Sequence, residues 1–234
     1  MLGCCSWLAR SAEPTPLSPL GLRLDRRRPV DRMPAFKDGR IEVQDEGSQI
    51  AAALVGAQPG QLVVDYCAGA GGKSLALAAD MANKGRLLLF DVSKSRLDRA
   101  AVRLRRGGVN NAERRPLVEG DKSVKRLAGK VDRVLVDAPC TGTGTWRRNP
   151  DAKWRYDADA LAEITKVQRT ILERAAALVK PGGRLVYVTC SVLTDENEQV
   201  VDGFLAETTS FKALPMAEVW AATVGASGGG ACPA

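Results

Sequence analysis

The sequence contains no histidine. That absence removes Ser-His-Asp and Cys-His hydrolases, histidine-ligated metals and histidine general bases in one step, so catalysis must use carboxylates, thiols, lysine or the backbone. No apolar run reaches the ~18 residues that a membrane-spanning helix needs. The opening Met1-Leu2-Gly3-Cys4-Cys5 carries no positive charge ahead of its apolar residues and makes a poor secretory signal. A cytoplasmic protein with no membrane partner is expected. Zinc-ligand spacing is also missing among the cysteines, so no metal site is expected.

At 234 residues and 45% hydrophobic content, the chain is long enough to bury one sizeable core without requiring a second. The net charge of +7 favours a polyanionic partner. Eight Lys and Arg face four Asp and Glu between Met1 and Arg40, so this segment supplies more than half of the excess. Residues 1–33, with Arg26-Arg27-Arg28 at their centre and many prolines, read as a basic, largely disordered arm; a solvated charged tail is an equal alternative.

Beyond the arm, strands and helices alternate. Leu62-Val63-Val64-Asp65 and Arg86-Leu87-Leu88-Leu89-Phe90-Asp91 are apolar runs that end in an acid, as buried parallel strands do. Ser93 is placed to cap a helix that Gly107-Gly108 stops. A short strand is expected near Arg115 to Val118, and another from Val131 to Val136. Asp159 opens a long amphipathic helix bearing Leu161, Ile164, Gln168, Leu172, Ala175 and Val179, which Pro181-Gly182-Gly183 ends. A strand from Arg184 to Thr189 follows. Asp195 and Glu198 then form a capping box for a helix through Leu205, and a short strand is expected at Phe211 to Leu214. The pattern is that of an α/β protein with a doubly wound, Rossmann-like parallel sheet, occupying residues 34–214, with residues 215–234 as a disordered tail.

Ligands of such sheets collect at the carboxyl ends of the strands. The ends here are Asp65-Tyr66-Cys67, Asp91, Asp137-Ala138-Pro139-Cys140 and Thr189-Cys190-Ser191, so distant parts of the chain place acids and thiols around one crevice. Cys67-Ala68-Gly69-Ala70-Gly71-Gly72-Lys73 lies between a strand and a helix, where glycines admit close approach of a ligand. Asp91 can accept both hydrogen bonds of a ribose diol. The two features together suit a nucleoside cofactor without separating S-adenosylmethionine from a dinucleotide, although the glycine order departs from G-x-G-x-x-G. Each cysteine taken alone is explained by packing; two at strand ends lining one cleft are harder to explain that way.

The glycine-rich loop with Lys73, the block Asp137-Ala138-Pro139-Cys140-Thr141-Gly142-Thr143-Gly144 and the block Thr189-Cys190-Ser191 resemble the motifs of Sun-type (Fmu-like) RNA cytosine-5 methyltransferases, close to the bacterial enzymes that act on small-subunit ribosomal RNA. Val43-Gln44-Asp45-Glu46-Gly47-Ser48-Gln49 resembles that family's lead-in, and Arg147-Arg148-Asn149-Pro150-Asp151 its segment after the first cysteine. The resemblance runs from about Pro34 to Leu205. It implies a class I methyltransferase sheet, lacking part of the C-terminal strands in a chain shortened at both ends. It further implies S-adenosyl-L-methionine as cofactor and RNA as partner, ribosomal RNA first and transfer RNA next.

By the same resemblance Cys190 attacks carbon 6 of cytosine, Cys140 resolves the adduct, Asp137 binds the cytosine edge and Lys73 lies near methyl transfer. Cys67 to Lys73, Asp91, Asp121 and Asp137 hold the cofactor. Cys190 then needs a pKa lowered by a nearby cation or a helix N-terminus. RNA is expected to meet Arg147, Arg148, Lys153 and Arg155, with Trp146 and Trp154 for stacking; the alternative is a solvated face with both tryptophans in the core. Two other readings stay open: a methyltransferase for another substrate, and a non-catalytic remnant that binds RNA and cofactor.

Overall fold

A computed structural model describes residues 12–118, 122–154 and 157–232. Five parallel strands form one sheet: β3 (Leu62–Asp65), β4 (Arg86–Asp91), β5 (Ala112–Pro116), β6 (Val131–Asp137) and β7 (Val179–Val188). Their spatial order is β5-β4-β3-β6-β7. The chain thus moves outward from β3 to β5, then returns to the other side of β3 for β6. At such a reversal an open parallel sheet offers its ligand crevice, at the carboxyl ends of the strands, here between the loops after β3 and β6.

The apolar runs have a direct cause: both faces of the sheet are covered. On one face Val63, Leu87, Leu89 and Leu135 pack with Leu77, Leu97 and Leu104 from α2 (Gly72–Asp80) and α3 (Lys94–Arg106). On the other, Val64, Leu88, Phe90, Val134 and Val136 pack with Ala175 of α4 (Ala158–Ala176). Successive strand residues point to opposite faces, so a strand covered twice is apolar at every position. Phe90, Leu88 and Val136 are fully buried, each stabilising the fold by roughly 1.5–3 kcal/mol relative to exposure. The edge strand β5 is instead Ala-Glu-Arg-Arg-Pro and mostly exposed, a composition that discourages further pairing. The opposite edge, β7, is half-buried along Leu185 to Val188.

Several boundaries differ from the sequence reading. Ser93 does cap α3, its side chain accepting from the Arg96 amide. Strand β5 begins at Ala112 rather than near Arg115, because its residues are held by ladder pairing with β4 and not by burial. The long helix is capped by Asp157, which accepts from the Ala160 amide, and it ends at Ala176. Val179 and Pro181-Gly182-Gly183 therefore belong to β7; a register irregularity opposite Val131 and Arg133 absorbs them. Helix α5 (Glu198–Glu207) starts at Asn197 with no side-chain cap, so the expected Asp195–Glu198 box does not form. Glu196 turns into the interior instead, and residues Thr194–Glu196 tighten into a 3-10 turn. Phe211 to Leu214 form no strand; Phe211 packs edge-on against Phe204.

Two described segments outside the sheet are held by tertiary contacts. A hairpin of β1 (Ala12–Pro14) and β2 (Leu22–Leu24) is joined to α1 (Glu46–Val55) where Glu46 Oε1 accepts from the Leu17 and Ser18 amides at 2.8 and 3.0 Å. Near the other end, α6 (Met216–Trp220) buries Trp220, whose indole donates to the Gly230 carbonyl at 2.8 Å. The Gly230 amide in turn donates to the Leu17 carbonyl. Tertiary contacts thus order proline- and glycine-rich stretches that have no periodicity of their own.

Candidate active site

The loop after β3 carries the first group of predicted residues. Gly71 sits at φ +78° with Ala100 so close that a Cβ would lie 2.8 Å from its methyl carbon, so the tight turn and the packing of α3 both require glycine. At Gly69, φ +55°, a Cβ would meet nothing within 4 Å, and the turn is open to a ligand on that side. Asp91 is buried at the end of β4. Its carboxylate accepts from the Gly69 amide at 2.9 Å and the Ser93 amide at 2.7 Å, one on each oxygen. These bonds fix its orientation, and each oxygen keeps a lone pair for a hydroxyl. Cys67 to Lys73 and Asp91 therefore line one side of the crevice. Asp121 lies outside the described residues.

Across the crevice, Lys73 Nζ donates to Asp137 Oδ2 at 2.7 Å, joining the loop after β3 to the end of β6. Asp65 stands at the end of β3 with 1% of its surface exposed, bonded to the Ser74 hydroxyl at 2.6 Å, and its other oxygen lacks a partner. Burial chiefly, with Asp137 and Asp91 adding repulsion, pushes its pKa up to about 7. Burial and the same carboxylates push Cys67 up to about 12, so it stays a neutral thiol.

The two cysteines of the later blocks meet. Cys140 Sγ and Cys190 Sγ are 3.3 Å apart, although fifty residues separate them in the chain. Parallel pairing of β6 and β7 sets the two strand ends side by side, and the Ala138 amide donating to the Val188 carbonyl continues that pairing past the sheet. The loops then lock together: the Gly144 amide donates to the Cys190 carbonyl at 3.0 Å, and the Val192 amide to Thr143 Oγ1 at 2.9 Å. A Cβ on Gly144 would lie 2.9 Å from that carbonyl oxygen, so only glycine permits the approach.

Of the two thiols, Cys190 is exposed and Cys140 half-buried, so charge is better solvated on Cys190. The two thiols share a hydrogen bond; with the half-buried Cys140 as its donor, it lowers the Cys190 pKa to about 7 against burial and the Asp137 charge, with Lys73 a smaller favourable influence. Cys140 is correspondingly raised. The expected cation is present, then, but the second thiol does most of the work. A paired thiol and thiolate on the crevice wall is suited to nucleophilic addition followed by elimination.

Sequence reasoning missed what lies beneath this pair. Glu196 and Gln168 are both fully buried, and together they contact the segments around both cysteines. Gln168 carried a signal, since it is a polar residue on the apolar stripe of its helix. Glu196 carried none beyond its place between two residues read as a cap.

Outside the crevice, Trp146 and Trp154 are 41% and 80% exposed, which rejects the alternative that places them in the core. Lys153 Nζ lies 4.7 Å from the centre of the Trp154 ring. Arg147 is exposed, and Arg148 pairs with Asp45 at 2.8 Å. Arg155 lies outside the described residues. No helix among the described residues is long and apolar enough to cross a membrane.

Comparison with known proteins gives the chain's family. Residues 52–228 match the family described as 16S rRNA methyltransferase RsmB/F. The chain is 38% identical, over 83% of its length, to a ribosomal RNA small subunit methyltransferase B of Salmonella arizonae, and spans 45% of that relative. Among solved structures, one titled PH0851 superposes with a TM-score of 0.83 at 38% identity, covering 87% of this chain and 46% of its own. NSun6 from Pyrococcus horikoshii, solved with the adenosylmethionine analogue SFG, gives 0.70 at 26% identity, covering 80% and 49%. On the match across residues 52–228 and the sheet that carries it, the chain belongs to the 16S rRNA methyltransferase RsmB/F family.

Proposed function

We propose that this chain methylates carbon 5 of a cytosine in ribosomal RNA through a covalent adduct with Cys190. The observation that carries the reading is the 3.3 Å approach of Cys140 and Cys190 beside the Lys73–Asp137 pair. Family membership supports an RNA substrate, and small-subunit ribosomal RNA is the first choice because the relatives are named for it. Transfer RNA is the second choice. A cytoplasmic location follows from that substrate.

S-adenosylmethionine fits the near side of the crevice and, when bound, supplies an electrophilic methyl group. Asp91, oriented by the Gly69 and Ser93 amides, would hold the ribose diol, and the backbone from Cys67 to Gly72 would hold the rest of the cofactor. Carbon 5 of cytosine is a weak nucleophile. Cys190 thiolate therefore adds to carbon 6, and the electron pair of the 5,6 double bond moves into the ring as an enamine, which takes the methyl at carbon 5. Asp137, held by Lys73, binds the amidine edge of the base and stabilises its protonated form. The proton at carbon 5 then leaves to a base, the double bond re-forms and the Cys190 sulfur is expelled; Cys140 acts in this collapse. The Cys67 thiol takes no part in the addition, being held neutral chiefly by burial and then by the carboxylates around it.

The RNA path runs over Trp146 and Trp154, where exposed rings accept unpaired bases and Arg147 and Lys153 meet phosphates. Transfer of labelled methyl from adenosylmethionine to unmodified ribosomal RNA, with the product hydrolysed to nucleosides, tests the proposal. Label in 5-methylcytidine is expected. Label in any other nucleoside sinks the cytosine assignment, and cofactor binding without transfer leaves a non-catalytic binding chain.

A further inference from the structure

Two loops separated by fifty residues can place their sulfurs within 3.3 Å only if something fixes both loops at once. The loop after β6 and the loop after β7 hold each other through Gly144 and Val192, but those bonds lie near the surface. Beneath them sits Glu196, fully buried, with a carboxylate that water does not reach.

Its partners are specific. Glu196 Oε1 accepts from the amide of Thr141, the residue after Cys140, at 2.9 Å, and Oε2 from the Thr141 hydroxyl at 2.5 Å. The Thr141 hydroxyl is 3.4 Å from the hydroxyl of Ser191, the residue after Cys190. Gln168 Nε2 closes the arrangement, donating to Glu196 Oε1 at 2.9 Å and to the carbonyl of Pro139, the residue before Cys140, at the same distance. The Glu196 carbonyl accepts from the Tyr187 hydroxyl at 2.8 Å, which ties the loop to β7. Asn197 donates to the Ser191 and Leu193 carbonyls and holds the Thr189 hydroxyl at 2.6 Å, bracing the other side of Cys190.

A buried carboxylate is costly unless donors surround it. Burial alone would raise the Glu196 pKa, yet the hydroxyls of Ser191 and Thr141, the Thr141 amide and Gln168 outweigh it, and the group is held below the usual carboxylate range. It is therefore charged at neutral pH and must keep its donors. Withdrawing either loop would strand it. Coupling the two loops through one buried charge makes the cysteine pair a single rigid unit.

We propose that Glu196 is a positioning residue that holds Cys140 and Cys190 in reacting register through Thr141 and Ser191. The inference rests on the reading of these cysteines as the reacting pair, but its test does not require methyl transfer. Diamide takes two protons and two electrons from a pair of thiols, and its rate of forming the Cys140–Cys190 disulfide reports how often the sulfurs meet. Glu196→Gln keeps size but turns an amide N–H₂ toward groups that need an acceptor. The full chain carrying it should form the disulfide at least about tenfold more slowly than the parent, while adenosylmethionine, which no Glu196 partner is placed to touch, binds unchanged. In methyl transfer, kcat should fall by about a hundredfold with KM for RNA unaltered, the cost of a displacement of about 1 Å at the reacting centre. Glu196→Asp, with the charge but a shorter reach, should recover part of both rates.

Should Glu196→Gln lose its cooperative melting, Thr141→Val takes its place, removing one donor with little change of shape, and the same slowing is expected. Disulfide formation at the parent rate in the folded variant overturns the inference, whatever the methyl transfer. A parent chain that transfers no methyl, combined with slow cross-linking in the variants, overturns the proposed activity and leaves the positioning role standing.

Discussion

Replacing Cys140 by Ala removes the S–H donor that lowers the Cys190 pKa to about 7. Without it burial and Asp137 still oppose the charge, so Cys190 should titrate no lower than the ordinary thiol value of about 8.5, taken as the lower bound. Two effects then oppose each other. At pH 6 the thiolate population falls roughly thirtyfold, but the more basic thiolate is intrinsically the better nucleophile, by about fivefold for a Brønsted slope of about 0.45. Alkylation of Cys190 by iodoacetamide should therefore be about sixfold slower in Cys140→Ala at pH 6, equal near pH 8, and about fourfold faster above pH 9. The assay follows the Cys190 peptide by mass spectrometry after timed quenching, so the other cysteines do not interfere. Crossing rate profiles are the signature of a lost hydrogen bond to the thiolate. Parallel profiles, or a Cys190 that titrates near 8.5 in the parent, would refute the assignment of Cys140 as donor.

Two further predictions address the rest of the crevice. Asp91→Asn replaces a carboxylate that accepts from the Gly69 and Ser93 amides; bonds to a charged acceptor contribute about 1.5–3 kcal/mol, so adenosylmethionine affinity should drop between about tenfold and a hundredfold by calorimetry. Unchanged affinity would remove Asp91 from the cofactor site. Asp65 has a folded pKa near 7 against 3.8 when free, so the native state binds its proton more tightly than the unfolded state. Its stabilising contribution is complete below about pH 4 and is lost as pH rises to 7, by a few kcal/mol. Urea midpoints should fall over that window in the parent and fall less in Asp65→Asn; identical pH slopes would show that Asp65 ionises freely.

The readable parts of the fold were those whose physics is local or uniform. Strands β3, β4 and β6 are covered on both faces, so their sequences are unbroken apolar runs with an acid at the end. Ser93 caps its helix with its own side chain. The glycine loop and both cysteine blocks stand where strands end, and the topology of a parallel sheet brings such ends together. What was misread depended on partners distant in sequence. β5 is charged and forms by pairing with β4. Pro181-Gly182-Gly183 has the composition of a helix stop yet runs within a strand because β6 supplies the ladder. The hairpin at residues 12–24 and the stretch at 216–230 have no periodicity and are held through Glu46 and Trp220. Glu196 is the clearest case: nothing local distinguishes it from Asp195 or Glu198, and only the convergence of Thr141, Gln168 and Ser191 shows why it is buried.

The most direct test of the covalent mechanism is denaturing electrophoresis of the chain incubated with adenosylmethionine and unmodified ribosomal RNA, comparing the parent with Cys140→Ser, Cys190→Ala and the double variant. A stable protein–RNA adduct is expected in Cys140→Ser, because attack proceeds while collapse is blocked, and none in either chain that lacks the Cys190 sulfur. An adduct that persists in Cys190→Ala, or methyl transfer that survives that substitution, would contradict the covalent mechanism.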